Sequence, residues 1–178
     1  MCRKLSQMLN NMRILAIDPG YDRLGIAVLE KQKGVEVALF SACVTTDKKQ
    51  TAGERLWHIG EEIRNAIVKW KPSALATETL FLFSNQKTAF RVAEARGVIL
   101  YEAARAGLRA FEYTPLQIKI AVTGYGRSDK RQVTDMVRKL VSLSSKKRLD
   151  DEYDALAIGL TCLATEKFST STNVANKI

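Results

Sequence analysis

A chain of 178 residues with 46% hydrophobic content and three prolines is long enough for one well-filled core and too short for two, so one domain is expected. Twenty-eight Lys and Arg stand against nineteen Asp and Glu, a net charge of +9 that predicts attraction to a polyanion. Three cysteines without paired spacing argue against a disulfide framework or a zinc site. With neither a signal peptide nor a bilayer-spanning run, a reduced, cytoplasmic setting away from membranes is expected.

Residues 1–11 read as an N-terminal extension ahead of a domain over 12–168, and the Ser/Thr/Asn-rich stretch 169–178 reads as a flexible tail. The domain opens with the apolar run Arg13 to Ile17, which stops at Asp18-Pro19-Gly20 and so reads as a buried strand delivering one acid to the edge of a sheet. Gly25 to Leu29 forms a second strand, hairpinned with the first, and Val35 to Thr46 a third, which together make an antiparallel meander. From Thr51 to Trp70, Leu56, Ile59, Ile63, Ile67 and Trp70 recur at helical spacing, and Pro72 stops the helix. Ser73 to Thr79 is a buried strand ending in Glu78, and Thr88 to Leu108 an Ala-rich helix, an alternation that implies a parallel portion of the sheet.

Ala110 to Thr114 is a fifth strand, and Pro115 suits the first turn of a helix running through Lys119. Thr123 to Arg127 breaks that helix; Ser128 or Asp129 caps the next, which carries Val133, Met136, Val137 and Leu140 on one face. A last, largely apolar helix runs from about Asp151 to Lys167. The expected architecture is α/β, a mixed five-stranded sheet with three antiparallel and then parallel strands, flanked by helices. The basic surplus is local: residues 116–148 hold nine Lys/Arg and two Asp. Such a segment is either a solvated helix face or a nucleic-acid footprint.

Four acids stand on otherwise apolar elements. Taken alone, Asp18 reads as a turn former, and Asp150 or Asp151 as the cap of the final helix. Taken together, Asp18 and Glu78 leave the same region if their strands are neighbours. Asp151 and Asp154, three apart, share one face at the start of a helix whose dipole favours anions. Carboxylates so gathered raise one another's pKa values unless a cation sits between them. Oxygen-only ligands select Mg2+ or Mn2+ over zinc, and the single His58 reads as surface or packing. In a basic protein such a site points to two-metal phosphodiester hydrolysis.

Ile17-Asp18-Pro19-Gly20 with Gly25, Glu78 with Phe81, Ala95-Arg96-Gly97-Val98, Gln117-Ile118-Lys119 through Gly124-Tyr125-Gly126 to Lys130, and Asp151 to Ile158 with Asp154 within it resemble, in order over about residues 12–165, the RuvC family of Holliday junction resolvases. The resemblance implies a ribonuclease H-like fold, a homodimer, and Mg2+-dependent paired nicking of four-way DNA junctions. It implies that Asp18, Glu78, Asp151 and Asp154 are the catalytic acids, holding two Mg2+ ions per site with Mn2+ as a substitute. It places Lys119 and Lys130 near the DNA backbone and Phe81 against bases at the junction centre. A branch-migration motor joins the DNA junction and the second subunit as a candidate partner.

On the residues themselves, Leu80 to Phe83 reads either as strand continuation with its rings in the core or as an exposed aromatic that stacks on an unpaired base, worth ~1–3 kcal/mol per base. Gly124 to Lys130 reads either as an ordinary turn or as a helix N-terminus that holds a phosphate with Arg127 and Lys130. The Thr88 to Leu108 helix reads either as the dimer contact or, with Phe90, Val98, Ile99 and Tyr101, as a cover for the sheet. The rival functions are a nuclease for structured RNA and a junction-binding protein without catalysis. A nucleotide-binding domain of the sugar-kinase type, which also opens on an apolar strand and Asp-x-Gly, needs a second half that this chain has no room for.

Overall fold

The strand Arg13–Asp18 (β1) is the middle of the computed structural model, which describes residues 12–79, 86–143 and 147–166. Ile14, Leu15, Ala16 and Ile17 are all fully excluded from water, because layers of helix cover both faces of the sheet they belong to. On one side β1 pairs antiparallel with β2 (Arg23–Gln32), which pairs antiparallel with β3 (Val35–Thr45). On the other side it pairs parallel with β4 (Ala74–Glu78), and β4 parallel with β5 (Arg109–Tyr113).

Helix α1 (Ala52–Trp70) begins where Thr51 and Glu54 close a capping box, Glu54 accepting from the Thr51 N–H at 2.7 Å. Helix α2 (Gln86–Arg105) is followed, after β5, by α3 (Pro115–Thr123), whose cap is Thr114. Of the two capping candidates ahead of α4 (Lys130–Leu140), Asp129 takes the role: its Oδ1 accepts from the Gln132 N–H at 2.8 Å. Ser128 is buried instead, with its hydroxyl on the Tyr125 carbonyl at 2.8 Å. The chain ends its described course in α5 (Asp150–Thr165).

Two expectations need correction. The sheet has six strands, in the order β5-β4-β1-β2-β3-β6, because Val141–Ser142 (β6) pairs parallel with β3 at the outer edge. A two-residue strand shows no periodicity from which it could be read. Neither Asp150 nor Asp151 caps α5: Leu149 occupies that position, its N–H donating to Glu152 Oε1 at 3.2 Å, and both aspartates fall in the first turn. In α2, Ile99 is fully buried and Val98 half-buried, as cover for the core, while Phe90 and Tyr101 project into solvent. The expected extension over 1–11, Phe81 and the expected tail over 169–178 lie outside the described residues.

The core divides along the sheet. On one face Ile14, Ala16, Ala27 and Leu29 meet α3, α4 and α5; on the other Leu15, Ile17, Ile26 and Val28 meet α1 and α2. Helix α5 lies closest, at Gly159, where an added Cβ would stand 2.3 Å from Leu29 Cδ1 and 3.1 Å from Ala16 Cβ. In an open helix Gly→Ala stabilises by ~1 kcal/mol. Here Leu29 and Ala16 are both fully buried and cannot yield freely, and overpacking costs ~1–3 kcal/mol. Gly159→Ala is therefore expected to lower Tm by about 2–6 °C in thermal unfolding; an unchanged or higher Tm would show that the contact relaxes without cost.

Candidate active site

The register of β1 and β4, Ile14 opposite Ala74 through Ile17 opposite Thr77, brings Asp18 and Glu78 off adjacent strand ends. Ala16 and Ala76 face α5, and side chains alternate along a strand, so Asp18 and Glu78 face α5 as well. There they meet Asp154, from the second turn of α5. These three acids, with Lys119 of α3 and Lys130 of α4, line one cleft of about 250 Å³ over an apolar floor that includes Ile118 and Val133. Lys130 Nζ donates to Asp154 Oδ2 at 3.0 Å and lies 3.5 Å from Asp150 Oδ2.

Burial is the largest influence on these acids. It pushes Asp18 up to about 7, and the charges of Asp154, Glu78 and Asp151 push the same way while Lys130 opposes. Burial also pushes Glu78 up to about 7, Asp154 adding to the effect and Lys119 opposing it. Asp154 is raised by burial against the pull of Lys130. For Lys130, burial works against the charge, but pairing with Asp154 and Asp150 outweighs it and the ammonium is held above its usual range. Fully ionised, the three acids of the cleft would carry more negative charge than its two lysines neutralise, and the raised values of Asp18 and Glu78 reflect that.

Asp151 is close to the cleft but does not line it. Its carboxylate pairs with Arg23 of β2 and lies 3.7 Å from Cys43 Sγ on β3, while its charge still reaches Asp18. Its position depends on Gly25, where an added Cβ would stand 2.1 Å from the Asp151 carbonyl oxygen and 3.1 Å from Asp18 Cβ. Bare backbone at this point lets the first turn of α5 lie against β2 beside Asp18. Asp150, largely exposed, turns toward Lys130 instead. Arg127 is exposed in the loop between α3 and α4, away from the cleft lining.

The donor set fits a hard divalent cation, since every candidate ligand is a carboxylate oxygen and the three acids, once ionised, outnumber the two lysines. Among the described residues no three acids converge on one point at ligand distance; Asp154 is paired with Lys130 and Asp151 with Arg23.

Three residues of this region escape a reading by motif. Arg23 was legible in principle, since counting back by two from Gly25 along β2 puts it on the face of Asp18. Cys43 stands opposite Gly25 only through the β2–β3 register. Glu152 is buried and accepts from Ser41 Oγ at 2.6 Å, which ties the start of α5 to β3; no local pattern marks that contact.

The family model described as Crossover junction endodeoxyribonuclease RuvC matches residues 14–162. The Crossover junction endodeoxyribonuclease RuvC of Thermosipho melanesiensis is 46% identical over 155 residues, which are 87% of this chain and 98% of that protein. That of Petrotoga mobilis is 44% identical over 146 residues, 82% of this chain and 90% of the relative. Among solved structures, Thermus thermophilus RuvC in complex with Holliday junction substrate matches with a TM-score of 0.80 at 32% identity, over 86% of this chain and 93% of that one. At 46% identity along 98% of a relative's length the likeness extends well past a shared fold: the chain belongs to the RuvC family of crossover junction endodeoxyribonucleases.

Proposed function

We propose that the cleft at the ends of β1 and β4 is the catalytic centre of a metal-dependent endodeoxyribonuclease that resolves four-way (Holliday) DNA junctions by symmetric paired nicks, in cytoplasmic recombination and repair. The observation that carries the reading is the half-buried carboxylate of Asp18, raised to about 7 by loss of hydration and by its acidic neighbours, in a cleft that also presents two lysines.

In this reading Asp18, Glu78, Asp151 and Asp154 hold two Mg2+ ions, with Mn2+ as a substitute. Bound divalent ions supply such a site with activation of water and relief of the charge that builds on the phosphodiester. The protein's own contribution is placement. Asp18 and Glu78 are fixed by strands that cannot shift without opening the core, and Asp154 by a helix buried on nearly every side. Lys119 and Lys130 face the same space, and a backbone phosphate drawn into it meets both ammonium groups. Once Asp154 is engaged elsewhere, Lys130 is free to steady charge on that phosphate. Arg127 and Phe81 belong to the same proposal as contacts to DNA outside the cleft.

One cleft cuts one strand, so symmetric cutting calls for two copies related by a two-fold axis. Phe90 and Tyr101, exposed on α2, are the proposed dimer contact. A branch-migration motor is the proposed partner that delivers the junction.

On a denaturing gel, end-labelled four-way junction with Mg2+ is expected to give paired nicks in opposite strands, absent with linear duplex and absent with chelator. Asp154→Asn is expected to bind the junction as well as wild type but to cut it more than about 100-fold more slowly, beyond the cost of losing an outer partner of a metal ligand. Wild-type rates from this variant would remove Asp154 from the site.

The raised acids also make stability depend on pH. Asp18 and Glu78 bind protons more tightly folded, at about 7, than unfolded, near 3.8 and 4.5. Between about pH 4 and 7 the folded state therefore holds more protons, and metal-free stability falls as pH rises through that window, then levels off. With chelator at pH 8, Asp18→Asn is expected to be more stable than wild type by on the order of 2–4 kcal/mol, the two converging near pH 4. Equal or lower Tm for the variant at pH 8 would mean that Asp18 carries no such strain.

A further inference from the structure

The sheet end that carries the acid cleft has a second cavity on its other face. It measures about 410 Å³ and is walled by the turn from Gly20 to Arg23, by Arg55 of α1 and by Arg91 of α2. The turn starts two residues after Asp18. Its Tyr21 packs in the apolar cluster of Leu15 and Ile17, on the α1 and α2 side, whereas Asp18 faces α5. Two guanidinium groups, those of Arg55 and Arg91, thus face this space against one carboxylate, Asp22.

The arrangement is fastened from within. Arg55 is buried; its Nε donates to Thr46 Oγ1 at 2.9 Å, and its Nη2 to Thr46 Oγ1 at 2.7 Å and to the Tyr21 carbonyl at 3.4 Å, while pairing with Asp22. These bonds anchor the turn to α1. The Arg55 guanidinium carbon lies 4.0 Å, and that of Arg91 5.4 Å, from the centroid of the Tyr21 ring. Two guanidinium groups are thereby drawn to one aromatic ring, where the ring's attraction works against their repulsion. Arg91 also touches Glu94 at 3.0 Å, an exposed pair that solvent screens and that a stronger anion readily replaces. Arg23 joins the two sites, since it lines this cavity while its guanidinium pairs with Asp151.

We propose that this arginine-lined cavity is a second phosphate subsite, which takes a backbone phosphate of the junction strand across the sheet end from Lys119 and Lys130. Guanidinium groups match a phosphate through two parallel donors, and Arg91 is the one whose present partner is easily exchanged. The inference rests on the resolvase reading for its ligand and extends it: the DNA is gripped on both sides of the acids.

The test measures binding alone. Metal-free protein is titrated into a fluorescently labelled four-way junction over a series of salt concentrations, using wild type, Arg91→Gln, Arg91→Lys and Lys119→Ala, with thermal unfolding recorded on the same samples. Arg91→Gln is expected to weaken binding about 3- to 10-fold and to flatten the slope of log Kd against log salt by about 0.9, the release of one counterion, with an unchanged Tm. Arg91→Lys is expected to keep the slope, because the charge remains. If Arg91→Gln keeps wild-type affinity and slope while Lys119→Ala is weakened, the subsite is wrong and the resolvase reading stands. If wild type binds no junction, both fall.

Discussion

Asp18 follows four consecutive residues, Ile14 to Ile17, that water does not reach at all. The strand that bears this carboxylate is therefore held from both faces of the sheet, and the carboxylate is fixed at the wall of the cleft. A charge fixed in such surroundings, with Asp154, Glu78 and Asp151 close enough to raise it further, is met either by a proton or by cations. Lys130 meets part of the demand, by way of Asp154. The remainder is what suits the site to hard divalent ions, and it explains why so many basic residues surround so small an acidic centre.

Bringing a third acid to Asp18 and Glu78 requires a helix to lie almost on the sheet, and two glycines permit it. At Gly159 the middle of α5 rests on Leu29 and Ala16; at Gly25 its first turn rests on the backbone of β2. That first turn contains Asp150, Asp151 and Glu152, where the unpaired N–H groups and the helix dipole favour negative charge. Glu152 turns inward to Ser41 and secures the helix start, which leaves Asp151 and Asp154 on the side toward Asp18. The same packing that fills the core thus sets the spacing of the acids.

The basic surplus is also divided more evenly than its density along the chain indicates. The rich segment 116–148 contributes Lys119 and Lys130 to the cleft, but Arg127 stays outside it. On the other face of the same sheet end, Arg55 of α1 and Arg91 of α2 meet at the Tyr21 ring. A polyanion lying across this end encounters positive charge on both sides of the acids, an arrangement that orients a backbone as well as attracting it.

By itself the sequence determined what depends on neighbours a few residues apart. The antiparallel meander, the helices, the cap of α4 at one of Ser128 and Asp129, and the acids at the ends of apolar elements all follow from short-period patterns and local hydrogen bonds. Asp18, Glu78 and Asp154 were legible on those grounds, and their meeting followed once β1 and β4 were taken as neighbours. Tertiary structure alone decided the rest: the two-residue sixth strand, the burial of Ile99, the capping position of Leu149, the pairing of Asp151 with Arg23 and of Asp150 with Lys130, and the arginine cavity. Each of these is a contact between residues distant in the chain or a choice between adjacent, chemically equivalent side chains. Local propensity is blind to such choices; they are made by the packing of α5 and α2 against the sheet.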